Sequence, residues 1–84
     1  MPGGSVKRAM ELLLDVANDF PDEPIVPFNL ACYNCQLGKL VEARSWLHIT
    51  WEVAAKQNTA RQWKLKAIDE PDLEPLWEEI RGRK

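Results

Sequence analysis

Groups able to carry out chemistry are scarce in this sequence. It has one histidine, His48, two cysteines, Cys32 and Cys35, and two serines, Ser5 and Ser45. No Gly-rich phosphate loop is present, and general acid–base work needs a positioned partner that a single His without a matched nucleophile does not have. His48 reads as a solvated surface residue beside Arg44 and Glu52. An enzyme is not expected, and no catalytic residue is assigned.

Charge of one sign is lacking too. Eleven Lys and Arg stand against 13 Asp and Glu, a net charge of -2 that gives no overall pull towards nucleic acid or an anionic membrane surface. No stretch approaches the roughly 18 apolar residues that a membrane span requires. The opening Met-Pro-Gly-Gly-Ser has no apolar leader region, and two neighbouring cysteines are not the dispersed framework of a secreted disulfide scaffold. A cytoplasmic protein is expected, with neither nucleic acid nor membrane as partner.

What is present is a globular balance, with 45% apolar and 29% charged residues in an 84-residue chain. That suits one domain with a thin core. Four tryptophans then matter disproportionately, since each buries about 150–250 Å² when inside.

The periodicity is helical throughout. From Ser5, a plausible N-cap, Val6, Ala9, Met10, Leu13, Val16, Ala17 and Phe20 form one apolar stripe, which Pro21 and Pro24 interrupt. A second helix begins between Pro24 and Pro27 and ends near Gly38, which accepts a left-handed conformation. A third, about Leu40 to Lys56, carries apolar residues over roughly 200° of its surface, about twice what one contact face needs. It therefore has neighbours on both sides, one of them the second helix. Thr50 falls inside that apolar arc, where its hydroxyl can bond back to the Trp46 carbonyl. Asn58 or Thr59 caps a shorter fourth helix with Trp63, Leu65, Ala67 and Ile68. After Pro71, a stripe of Leu73, Leu76, Trp77 and Ile80 marks a last short helix.

An offset of 34 residues superposes Ala9 on Ala43 and Leu13 on Leu47. In the same frame lie Pro21, the string Asn29-Leu30-Ala31, Gly38 and the pair Glu42-Ala43. This pattern resembles the tetratricopeptide repeat (TPR) family, whose unit is an antiparallel helix pair with small residues at the crossing. Leu30-Ala31 matches the family's Leu-Gly pair, Gly38 its turn glycine, Glu42-Ala43 the start of its second helix, and Pro21 the proline closing a repeat. Pro27 stands where the family has an aromatic residue.

The resemblance implies an all-α fold of TPR-like antiparallel helix pairs, four to five helices in a short right-handed solenoid-type stack. Residues 5–20 would be the second helix of a partial repeat, 24–56 a complete repeat, and 58–81 divergent capping helices. It also implies a non-catalytic protein-binding module, because first helices in the family line a peptide groove. Carried onto this sequence, that groove is Ile25, Phe28, Asn29, Cys32, Cys35 and Gln36, with Asn29 at the ligand-bonding asparagine. The basic clamp is missing, so a hydrophobic or helical segment is the expected ligand. The alternative is a structural, self-associating unit or the terminal piece of a longer solenoid, motivated by the unpaired first helix and by Leu12 and Leu14 widening its apolar surface.

Two further features are read plainly. Cys32-Tyr33-Asn34-Cys35 has metal and redox spacing, but a structural zinc site needs four ligands and a redox pair normally opens a helix. In mid-helix the two are expected as reduced packing thiols, with no metal and no cofactor. Lys56, Arg61, Lys64 and Lys66 form a basic stretch followed by acids from Asp69 to Glu79. A solvated face pairing with those acids is expected, the other reading being a basic patch for an acidic peptide or for RNA, whose bases stack on exposed aromatics; Trp63 is expected in the core.

Overall fold

The computed structural model describes residues 2–82, with side chains from residue 7 onwards. Those residues form an all-α chain of five helices and one 3-10 stretch. In order these are α1 (Pro2–Asp19), α2 (Ile25–Gln36), α3 (Leu40–Lys56), α4 (Ala60–Ala67), the 3-10 stretch Pro71–Leu76, and α5 (Trp77–Ile80). No helix among them is long and apolar enough to cross a membrane.

α1 starts three residues earlier than its pattern predicts, so Ser5 lies inside the helix rather than capping it. Pro2 explains the shift: its fixed φ suits a first helical position, and its missing N–H would be unbonded there anyway. α2 begins within the expected window. Pro24 sits at its N-cap with φ -62°, and Pro27 is still in the first turn, where its ring costs no hydrogen bond.

α2 and α3 end in the same way. Beyond α2, Gly38 takes φ +77°, with Lys39 N–H bonded to the Asn34 carbonyl at 2.8 Å and Gly38 N–H to Cys35 at 3.0 Å. Beyond α3, Asn58 takes φ +60°, with Thr59 N–H bonded to Ala54 at 2.8 Å and Asn58 N–H to Ala55 at 3.1 Å. Both are Schellman closures, which satisfy carbonyls a helix end would otherwise leave open. Thr59 occupies the N-cap of α4, yet its hydroxyl turns back to the Ala54 carbonyl at 3.3 Å.

α2 is the centre of the fold. It packs on α1, on α3 and on the 3-10 stretch, and Val26, Phe28, Leu30, Ala31, Cys32 and Cys35 on it are all buried. α3 has the two neighbours its wide apolar arc requires, α2 and α4. Ala31 on α2 and Ala43 on α3 are fully buried in the common core. Thr50 is buried as well, and its hydroxyl donates to the Trp46 carbonyl at 2.9 Å. The buried amide of Asn34 likewise donates to Leu30 at 2.8 Å.

The last helix of the sequence pattern is split in two. Pro75 has no N–H to continue an α-helical ladder, and residues 71–76 adopt the tighter 3-10 form before α5 begins at Trp77. The apolar stripe survives the split, for Leu73, Leu76 and Ile80 are buried in the same core as Phe28, Ala31, Cys32 and Cys35. Phe28, Leu73, Leu76 and Ile80 each contribute about 1.5–3 kcal/mol through burial.

Candidate functional site

The α2 face expected to be an open groove is instead filled by the chain itself. Phe28, Cys32 and Cys35 are buried in the cluster that includes Ala67, Leu73 and Leu76, and Asn29 is half-buried. The Phe28 and Trp63 rings meet with centroids 5.3 Å apart. Of the six residues, Ile25 and Gln36 remain exposed, and the Gln36 amide donates to the Asp72 carboxylate at 2.8 Å. The physical reason is the run Leu73, Leu76, Ile80, which needs an apolar partner and finds the bare face of α2. A separate peptide therefore has no open groove there.

The segment is held at two further points. The Trp77 indole N–H donates to the carbonyls of Ala67 at 3.0 Å and Glu70 at 3.1 Å, closing the C-terminus of α4. Arg44 Nε on α3 donates to both carboxylate oxygens of Glu79, at 2.7 and 3.0 Å. That bond holds the Glu79 carboxyl below its usual range and raises Arg44. The pair is half exposed, so it orients α5 more than it stabilises it.

Cys32 and Cys35 are free thiols. Burial, reinforced by Glu70 and Asp72, pushes Cys32 up to about 12. Cys35 is raised as well, first by burial and then by Asp72. Neutral thiols of this kind are poor nucleophiles and poor metal ligands. Among the described residues, no three His, Cys, Asp or Glu side chains gather as a metal site. His48 faces solvent, 3.3 Å from Glu52 one turn on.

A wider open surface lies between α4 and α5. It is a depression of about 490 Å³ lined by Ala60, Arg61, Lys64, Leu65, Ile68, Ile80 and Arg81. Arg61, Lys64, Leu65 and Ile68 fall at i, i+3, i+4 and i+7, and so share one side of the helix. Trp63 and Ala67, four residues apart, turn to the core. Leu65 is 57% exposed, a large apolar side chain standing between cations. The Lys64 ammonium is 5.9 Å from the Trp51 ring centroid, within cation–π range. Two other clefts, of about 160 and 170 Å³, are far smaller.

Among the described residues, no ion pair is seen between Arg61 or Lys64 and the acids that follow. Asp72 and Glu79 turn instead to Gln36 and Arg44, and neither Arg61 nor Lys64 has an ion-pair partner among the described residues. The residues were visible as a charge run in the sequence. What was missed is that their helix side also carries Leu65 and Ile68 and meets Ile80, a signal present in the i, i+4, i+7 spacing from Arg61. Comparison with protein-family models, curated proteins and solved structures finds no significant match to this chain.

Proposed function

We propose that this chain is a non-catalytic protein-binding module of the tetratricopeptide-like helical type, working in the cytoplasm. Its recognition surface is the depression between α4 and α5, and its ligand is an acidic amphipathic helical segment. The observation that carries this is Leu65, exposed on an apolar floor and flanked by Arg61 and Lys64 without described acidic partners. An acidic helix would bring apolar side chains to Leu65 and Ile68 and carboxylates to the rim. The α2–α3 hairpin supports the repeat-like reading, through Gly38 at its turn and one fully buried alanine on each helix, Ala31 and Ala43.

The test is a titration of the full chain with a soluble peptide helix bearing Leu at i and i+4 and Glu between them, followed by NMR. Shifts confined to residues 60–68 and 80–81, weakened by salt and abolished by Leu65→Glu, are expected. Shifts centred elsewhere, or binding undiminished in Leu65→Glu, would overturn the assignment.

A further inference from the structure

We propose that the acidic helix is found on a second copy of this chain: the exposed edge of α1 docks in the α4–α5 depression of another molecule, joining copies head to tail. This deepens the protein-binding reading of the depression and rests on it.

α1 has the matching chemistry. Ala9, Met10, Leu13 and Ala17 turn inward and are half-buried, and α2 is the main packing partner of this helix. Leu12, 60% exposed, and Val16 lie one turn apart on an outer edge. Asp15 and Asp19, also four residues apart and exposed, run beside them. Between Ala9 and Glu23 the chain carries Glu11, Asp15, Asp19, Asp22 and Glu23 and no base. Between Lys56 and Ile68 it carries Lys56, Arg61, Lys64 and Lys66 and no acid. One region is thus apolar with a border that is acidic except for Arg8, one turn before Leu12, the other apolar with a basic border.

The two do not meet within one molecule. α4 packs on α3 and α5, and no α1 residue lines the depression. A contact between different surfaces of identical chains is heterologous, so each copy keeps one free surface of each kind, and assembly continues as a chain or closes as a ring. A single helix edge in a shallow depression buries about 1,200 Å² or less in total, the range of weak contacts. Association is therefore concentration-dependent and screened by salt.

The test uses two variants of the full chain, each altered at an exposed residue whose replacement leaves the core intact. Leu65→Glu blocks the depression, and Leu12→Lys blocks the α1 edge. In sedimentation equilibrium at low salt, the unmodified chain is expected to gain average mass with concentration past the dimer. Each variant alone remains monomeric, because every pairing within it lacks one intact surface. Mixed in equal amounts, they form a complex of two chains and no larger. An unmodified chain that stays monomeric at millimolar concentration would overturn the proposal, as would association persisting in either variant alone. So would a mixture that stays monomeric while the unmodified chain stops at a dimer, the mark of a symmetric contact. If the chain is monomeric yet binds the acidic peptide helix at residues 60–81, head-to-tail assembly fails and the protein-binding reading stands. If it does neither, both fail.

Discussion

Phe28 and Trp63 lie ring against ring, their planes inclined by 55°, so that a side chain of α4 covers the first turn of α2. Phe28 is almost wholly enclosed, and Phe28→Ala is expected to cost about 3–5 kcal/mol. Trp63→Ala should cost less, because Trp63 is half-buried. The ring pair itself accounts for about 0.5–1.5 kcal/mol beyond burial, measurable as the coupling energy in urea unfolding of both single variants and the double. A coupling of zero would show that the rings merely share space.

Trp77 closes α4 through one donor shared by two carbonyls. Trp77→Phe keeps most of the apolar ring and removes that N–H, leaving the Ala67 and Glu70 carbonyls without it. Each carbonyl keeps a backbone donor, Glu70 N–H and Leu73 N–H respectively, so the expected loss is about 0.5–1.5 kcal/mol, with faster amide exchange over residues 64–70. An unchanged unfolding midpoint would show that water replaces the indole at no cost.

How much of this was legible in the sequence differs by segment. The α2–α3 hairpin was, because Gly38 answers the local demand of a tight turn between two runs of helical periodicity. The neighbours of α3 were legible from the width of its apolar arc. The fate of Phe28, Cys32 and Cys35 was not. Their i, i+4, i+7 spacing shows an apolar face but is the same whether another chain or a later part of this one covers it. Pro71 and Pro75 also disguised the covering segment, by giving it 3-10 geometry in place of the regular helix that its leucine spacing suggests. The basic depression was half legible: the charges stood out, whereas the pairing of Asp72 and Glu79 with α2 and α3 depends on contacts about 35 residues away in sequence.

The left-handed positions after α2 and α3 give a paired prediction. No atom lies within 4 Å of a side chain built at Gly38, so the cost of Gly38→Ala comes from backbone conformation alone. It should be about 1–2 kcal/mol, and Asn58→Ala should cost a similar amount. Asn58→Gly should change stability by less than about 0.5 kcal/mol. Thermal unfolding of the three variants checks this, and equal effects of Ala and Gly at position 58 would contradict it.

The thiols predict a loss of stability in alkali. An unfolded cysteine ionises near 9.0, whereas buried Cys32 is raised to about 12. The unfolded chain therefore releases its proton first. The contribution of Cys32 is complete below pH 9 and declines as pH rises from 9 towards 12. Urea midpoints should fall across that interval, and Cys32→Ala should flatten the fall relative to its own value at pH 7. At pH 8, modification of both thiols by a disulfide reagent should proceed at the rate of opening of the 71–80 segment, independent of reagent concentration once that is high. Rates of an exposed thiol would refute the enclosure.

The enclosure of α2 by residues 71–80 also sets an order of events during synthesis. Phe28, Cys32 and Cys35 leave the ribosome roughly fifty residues ahead of Ile80, which at about 5–20 residues per second is an interval on the order of 3–10 s. Throughout it the α2–α3 hairpin can form, yet the apolar side of α2 stays bare to the cell. The core of α2 is thus completed only when residues 71–80 arrive, and until then its apolar side is the surface most exposed to aggregation.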